Sequence, residues 1–145
     1  MQKDQFNLPE SYGYHLTSLT VIIKRMMESR LKAFDLTHLQ FTILINIYKN
    51  NVTTQKEMLK YTYGDEASIT RLINRLTSKG YIKRVSCSED KRKKKIVLTP
   101  SGITLSEKII ECAQEVNSEL VQGLDKKESN ELLRLLQKVH GMLGD

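Results

Sequence analysis

The segment 65–98 constrains the fold of this chain more than any other part of the sequence. Its first half predicts a helix, because four apolar residues recur at the spacing i, i+3, i+4 and i+7: Ile69, Leu72, Ile73 and Leu76. Asp65 is suited to cap the start of this helix, and Gly80 to end it in the left-handed conformation of a C-cap. Two runs of β-forming side chains follow, 81–85 and 94–98, on either side of the polar stretch SCSEDKRK. They predict a β-hairpin with a longer loop directly after the helix.

The residues before this segment predict three further helices. Apolar side chains recur every three or four positions over residues 12–34, which indicates a long first helix with a broad apolar face. Two pairs with capping-box spacing predict the starts of the second and third helices: Thr37 with Gln40, and Thr54 with Glu57. The second helix is expected to end near residues 50–51, and the short third helix near Tyr61.

The residues after the hairpin predict two more helices. Thr99 followed by Pro100 is a strong helix start, because proline at the first helical position gives up no needed hydrogen bond. This fifth helix is expected to continue to Val121 or Gly123. A sixth helix starts at a capping pair and shows one apolar face: Asp125 with Glu128, then Leu132, Leu135, Leu136, Val139 and Leu143. The predicted fold is mainly α with a small β-hairpin, in the order of four helices, the hairpin and two helices.

The basic residues are concentrated in one place. Residues 79–95 hold eight Lys or Arg side chains and two acidic ones, so this segment carries the whole net charge of +6. A local excess of this kind is typical of a surface that binds a polyanion. The run from Lys91 to Lys95 is also open to a plainer interpretation, as solvated charge on a flexible loop.

Several classes of protein are excluded by what the sequence lacks. The longest apolar runs fall far short of the roughly 20 residues that cross a bilayer, and the start MQKDQFNLPE lacks the order of a signal peptide. We therefore expect a cytoplasmic protein with no membrane partner. Cys87 and Cys112 have neither metal nor disulfide spacing, so they are expected to be free thiols. No catalytic motif and no clustered histidines are present, so neither an enzyme, a metal site nor a cofactor is predicted.

The predicted helix near residues 65–79 presents polar side chains opposite its apolar stripe. They are of types that contact DNA: Thr70, Arg71, Asn74, Arg75 and Ser78. Arginine can bind guanine through two hydrogen bonds, and asparagine can bind adenine in the same way. An ordinary solvated helix face is the alternative. The preceding short helix and the following basic hairpin favour DNA binding, because together they form a helix-turn-helix with a wing.

At this point the sequence resembles a known family. SITRLINRLTSKGYIKR resembles the recognition helix and first wing strand of the multiple-antibiotic-resistance-regulator (MarR) family of bacterial transcription factors. EDKRKKKIVLTPSG resembles the wing of that family, with its Asp-x-Arg tip and Leu-Thr-x-x-Gly entry to the next helix, and LTHLQFTIL resembles its second helix. The chain departs from the family at Leu59 and Tyr63, where bulkier side chains replace the usual small ones.

The resemblance implies a winged helix-turn-helix and a set of DNA-binding residues. In the recognition helix they are Ser68, Thr70, Arg71, Asn74 and Arg75, and in the wing Lys91, Arg92, Lys93 and Lys94. Arg92 would reach the minor groove. Asp90 would orient the wing by pairing with an arginine, for which Arg71 and Arg75 are the candidates. Residues 1–145 are expected to form a single unit, with a DNA-binding lobe at 36–99 and a helical dimerisation region at 9–35 and 100–145.

The resemblance also implies a homodimer that binds double-stranded DNA at a pseudo-palindromic operator, as a ligand-responsive repressor. A small aromatic effector would bind in a cleft lined by side chains of the first helix: Tyr12, Tyr14, His15, Met26 and Met27. Each of these is alternatively ordinary core or surface. Two other functions stay open, namely a winged-helix adaptor that binds an acidic protein, and an architectural protein that binds DNA without sequence preference.

Overall fold

The computed structural model describes residues 5–87, 89–90 and 92–144. Its helices and strands confirm the predicted fold class, a mainly helical winged helix-turn-helix: α1 Tyr12–Leu31, α2 His38–Asn50, α3 Gln55–Met58, α4 Glu66–Ser78, β1 Ile82–Ser86, β2 Lys94–Leu98, α5 Pro100–Val121 and α6 Lys126–Leu143. Short 3₁₀ helices lie at Leu8–Glu10 and Lys32–Phe34. None of the helices within these ranges is long and apolar enough to cross a membrane.

By its internal contacts the chain divides into two compact units, one ending at Cys112 and the other beginning at Ala113. The first unit contains α1 to α4, the hairpin and the first half of α5. The second contains the rest of α5 and α6. The finer prediction of a DNA-binding lobe at 36–99 and dimerisation helices on either side of it stays a prediction.

Side-chain caps start the helices where the sequence predicted. The Thr37 hydroxyl accepts from the Gln40 N–H at 3.2 Å, and the Gln40 side chain accepts from the Thr37 N–H at 2.9 Å, so the capping box of α2 is complete. Asp125 and Glu128 form the same reciprocal pair at α6. At α3 the capping box is incomplete. The Glu57 N–H bonds to the Thr54 hydroxyl, but the Glu57 carboxylate accepts from that same hydroxyl and not from the Thr54 backbone N–H.

Three element ends differ from the prediction. Helix α1 ends at Leu31, because the chain tightens into a 3₁₀ turn that Asp35 stops in the left-handed conformation, with φ of 55°. Helix α3 ends at Met58 and not near Tyr61, since the Tyr61 N–H bonds to the carbonyl three residues back. The first strand begins at Ile82, because Tyr81 belongs to the turn that follows α4, where its N–H bonds to the Leu76 carbonyl.

The end of α4 is a Schellman motif. Gly80 has φ of 84°, its N–H bonds to the Thr77 carbonyl, and the Tyr81 N–H bonds to the Leu76 carbonyl. This pair of hydrogen bonds is the 5→2 and 6→1 pattern of the motif. The predicted role of Gly80 as a helix C-cap is confirmed. The motif turns the chain directly from the helix into the hairpin.

The core of the first unit holds α4 in place. Ile69, Ile73 and Leu76 have no exposed surface, and they are the predicted stripe apart from the half-buried Leu72. Further fully or nearly fully buried side chains come from α2, α3 and the hairpin: Ile43, Leu44, Met58, Ile82 and Ile96. Ile96 also donates its N–H to the Thr53 carbonyl at 2.8 Å, so β2 is bonded to the residues just before α3.

The Leu-Thr-x-x-Gly motif joins the hairpin to α5. The Thr99 N–H bonds to the Tyr81 carbonyl at 3.0 Å, and the Gly102 N–H bonds to the Thr99 hydroxyl at 3.1 Å. A β-carbon on Gly102 would collide with the Tyr81 carbonyl oxygen, which is backbone and cannot turn aside. Glycine is therefore required here by the close approach of two backbone segments.

In the second unit, α6 has no buried residue. The predicted apolar stripe is 42% to 47% exposed at Leu132, Leu135, Leu136 and Val139, and Leu143 is 78% exposed. The apolar face of this capped amphipathic helix is therefore exposed in the single chain.

Candidate nucleic-acid interface

Helix α4 separates an apolar face from a polar one. Its buried residues lie on one side, while Arg71, Asn74 and Arg75 are exposed on the other. The helix begins at Asp65, whose carboxylate accepts from the Ser68 N–H at 2.7 Å. Hydrogen bonds from the backbone and the side chain of Ser68 lower the pKa of Asp65, as does the charge of Arg71. The ionised cap also suits the positive end of the helix dipole.

Polar side chains on α4 also form hydrogen bonds within the protein. The Thr70 hydroxyl donates to the Glu66 carbonyl at 2.9 Å and accepts from the Gln55 amide at 2.6 Å. This arrangement ties α3 to α4. The guanidinium of Arg71 donates to the hydroxyl of Ser68 at a long 3.4 Å. Thr70 therefore has a structural partner in addition to its predicted contact with DNA.

The wing is a two-stranded antiparallel hairpin. Ile82 pairs with Leu98 and Ser86 with Lys94, so the described strands end at the basic loop. Arg92, Lys93 and Lys94 are exposed, and the side chain of Arg92 has 94% of its surface in solvent. Lys91 lies outside the described residues.

Asp90 contacts Arg92, its neighbour in the tip. Its carboxylate accepts from the Arg92 N–H at 3.0 Å and lies 3.5 Å from the Nε of Arg92. Among the described residues this ion pair takes the place of the expected one with Arg71 or Arg75. The turn brings Arg92 within reach of Asp90, so this ion pair forms without the entropy cost of ordering a long side chain from another element.

The recognition helix and the wing are joined by a residue that the sequence interpretation did not single out. The Nη2 of Arg84, in β1, donates to the Oδ1 of Asn74 at 2.7 Å. Side chains alternate along a strand, so Arg84 lies on the same face as the buried Ile82, which packs in the core with α4. Strand alternation was therefore the sequence signal that could have identified Arg84 as a neighbour of α4. The actual partner depends on how far apart the strand and the helix lie.

The turn between α3 and α4 accommodates the unusual Tyr63. Its ring is 59% exposed and stacks on His38, with the ring centroids 6.0 Å apart. Its hydroxyl lies 2.9 Å from the Nδ1 of His38. A β-carbon on the adjacent Gly64 would lie 3.1 Å from side chains of Leu39 and Ile69. The bulky ring lies outside the turn, and the small residue that the turn needs is Gly64.

Comparison with known proteins identifies the family. The MarR family profile matches residues 36–94, which include the recognition helix and most of the wing. A structure of the reduced form of MarR from E. coli is 30% identical, covers 89% of this chain and 96% of its own, and superposes with a TM-score of 0.79. This chain belongs to the MarR family.

Two DNA complexes are similar to this MarR-family chain. The S. aureus MepR–DNA complex is 27% identical, with a TM-score of 0.76, and covers 92% of this chain and 98% of MepR. A mutant of E. coli MarR complexed with operator DNA is 29% identical, with a TM-score of 0.75, and covers 88% and 91%. The chain is therefore a DNA-binding regulator of transcription with a winged-helix fold.

The residues of the predicted effector cleft of this MarR-family regulator are spread along α1. Its five residues all lie on α1, but Tyr12 and Met26 are 14 positions apart, which is about 21 Å along a helix. Tyr12 is 87% exposed, whereas Met27 is buried at 2%. Tyr12 lines a surface cavity together with residues 5–7, 10, 11 and 13, and the other four predicted cleft residues do not line that cavity. The aromatic effector stays a prediction.

Proposed function

We propose that this MarR-family regulator acts in the cytoplasm as a homodimer that binds a pseudo-palindromic operator and represses transcription. One observation carries the proposal. Helix α4 exposes Arg71, Asn74 and Arg75 while its opposite face is buried, and the exposed basic hairpin follows within the same compact unit. This pairs side chains suited to base edges with side chains suited to phosphates and the minor groove.

The exposed apolar surfaces support the homodimer. In the first unit, the N-terminal half of α1 leaves Leu16, Leu19 and Ile22 between 45% and 48% exposed. In the second unit, α6 exposes its whole apolar stripe. Monomeric proteins seldom leave contiguous apolar patches of this kind in water. Two-fold symmetry would place two recognition helices about one turn of DNA apart, roughly 34 Å, and so would require a pseudo-palindromic site.

The related complexes support DNA as the ligand. The MepR and MarR structures were solved with DNA, and in the MarR case with operator DNA. We extend that ligand to this chain because it has both a basic wing and a face of α4 whose exposed side chains are suited to DNA. Repression is the common mode of action in the family, and it is part of the proposal.

The first experiment selects duplexes from a random-sequence library with the purified full chain. The expected result is a pseudo-palindrome that binds one dimer, with an affinity that falls steeply as salt rises. Absence of measurable affinity for any duplex would favour the adaptor function. Equal affinity for selected and scrambled duplexes would favour architectural binding.

The second experiment tests the sign of regulation. The selected site is placed across a promoter, and transcription is measured in vitro with increasing amounts of the protein. Reduced transcript is the expected result. The Arg71→Ala variant serves as the matched control, since it should bind the site weakly and leave transcription high. Increased transcript with the unmodified protein would contradict repression and leave operator binding intact.

A further inference from the structure

We propose that Arg84 is a positioning residue that sets base preference by holding the side-chain amide of Asn74 in one orientation. The inference rests on the proposed function, because it concerns how α4 distinguishes base pairs in an operator. It assigns to the first wing strand a part in sequence recognition, and not only in attraction to phosphates.

The geometry of the contact supports this role. The 2.7 Å bond from Arg84 to Asn74 joins β1 to α4 across ten residues of sequence. Arg84 is half-buried, whereas Asn74 and its neighbour Arg75 are exposed. Asn74 is therefore accessible to a ligand while its Oδ1 is bonded to Arg84. Strand pairing fixes Arg84 opposite Ile96, a buried residue that holds the backbone of the donor in place.

The chemistry of the two groups allows only one orientation of the amide. A guanidinium has five N–H donors and no acceptor, and an amide has an oxygen acceptor at one end and an NH₂ donor at the other. Turning the amide of Asn74 over would bring its NH₂ group against the donors of Arg84 and lose the hydrogen bond. Arg84 thus selects the orientation in which Oδ1 faces the wing strand.

An amide held in this way is prepared for adenine. The Oδ1 atom has two lone pairs, of which Arg84 uses one, so one acceptor site and both N–H donors of Asn74 remain. Adenine in the major groove offers the complementary pair, an N6 donor and an N7 acceptor. Without Arg84 the amide would rotate among orientations, and the advantage of adenine over other bases would decrease. The expected signature is a loss of discrimination at one base pair per half-site.

The test uses the full chain and the duplex that it selects from the random library, together with duplexes changed at each base pair in turn. The main variant is Arg84→Met, which keeps the long apolar stem against the core but removes every donor. Arg84→Lys retains a donor without an acceptor. Lys83→Ala is the matched control, because it removes one charge from the exposed neighbour on the opposite face of the strand.

We expect Arg84→Met to reduce discrimination at one base pair about tenfold, at the same position that Asn74→Ala affects. The double variant should lose no more discrimination than Asn74→Ala alone, and Arg84→Lys should keep most of the discrimination of the unmodified chain. The slope of affinity against salt should be unchanged in Arg84→Met, since the residue acts through Asn74 and not on a phosphate. Lys83→Ala should keep the base preferences of the unmodified chain.

Other results would overturn the inference. These are unchanged base preferences in Arg84→Met, an equal loss on every duplex with a shallower salt slope, or losses from Arg84→Met and Asn74→Ala that add. A melting temperature of Arg84→Met close to that of the unmodified chain shows that the fold is intact, and Arg84→Lys supplies the second variant if it is not. Failure of the unmodified chain to prefer any duplex would instead overturn the proposed function.

Discussion

In the proposed function the recognition helix and the wing bind the same ligand, but the two elements are held in very different ways. Helix α4 is anchored by three fully buried side chains, by the cap at Asp65 and by the Gln55–Thr70 bond to α3. The described part of the wing tip is held by contacts among its own residues: the Cys87 N–H bonds to the Lys93 carbonyl, the Lys93 N–H bonds to the Asp90 carbonyl, and Asp90 pairs with Arg92, whose side chain is 94% exposed. Reading bases requires fixed donors and acceptors, whereas attraction to phosphates requires mainly charge.

The largest expected effect is on the free energy of unfolding, and it separates the side chains that anchor α4 from those on its exposed face. Ile73→Ala removes a fully buried side chain, and it should lower the free energy of unfolding by about 2–5 kcal/mol. Arg71→Ala, on the exposed face of the same helix, should change stability by less than about 0.5 kcal/mol. Urea denaturation of both variants gives the measurement. Similar stabilities would mean that the buried face of α4 is not what holds it.

The next effect should appear only in binding, and it tests the wing. Arg92→Ala removes one cation from each wing of the proposed dimer, so it should weaken binding to every duplex roughly thirtyfold at 0.15 M salt, because about two counterions fewer are released on binding. The slope of log affinity against log salt should fall by about 2. Fluorescence anisotropy over a range of salt concentrations measures both quantities. Loss of preference at one base pair, without a general loss of affinity, would assign Arg92 to base recognition instead.

A smaller effect should appear in the pH dependence of stability, and it concerns the turn before α4. Burial lowers the pKa of His38, Glu28 opposes this and Lys24 adds to it, so the folded state favours the neutral ring. His38 therefore contributes stability that is fully present above its unfolded pKa of 6.5 and is lost as pH falls through that value toward the lower folded pKa. Thermal melts at pH 7.5 and 5.5 should show this loss, and His38→Gln should reduce it.

The control for this experiment is His140→Gln, at an exposed position near the end of α6. It should retain the pH dependence of the unmodified chain, because the difference in stability is assigned to the ring that contacts Tyr63. Equal pH dependence in the His38 and His140 variants would contradict the assignment to the turn before α4.

The smallest effect concerns the far end of the recognition helix. The ammonium of Lys79 contacts the carbonyl of Asp35 at 3.0 Å and its carboxylate at 3.2 Å, which links the end of α4 to the turn after α1. The carboxylate side chain is 95% exposed, so Lys79→Met should cost less than about 1 kcal/mol. A loss of several kcal/mol in chemical denaturation would show that this link anchors α4 as strongly as the core does.

The local elements of this chain were predictable because each is marked by residues close together in sequence. The caps at Thr37, Asp65 and Asp125, the glycine at 80 and the apolar stripe of α4 act within a turn or two of helix, and the structure confirms them. The ends of α1 and α3 were misplaced. Apolar periodicity continues past both points, but the backbone there changes to turns whose hydrogen bonds span three residues.

The order of elements, the location of the positive charge and the family could be read along the chain, since they depend on spacing and on motifs. The side-chain partners came from the three-dimensional packing: Gln55 on Thr70, Arg84 on Asn74, Tyr63 on His38, and Arg92 on Asp90 where another arginine was expected. The first three join residues on different elements, and their distances depend on how side chains fill the core between those elements. The fourth joins two residues of the wing loop, and it depends on the turn that the loop backbone makes there.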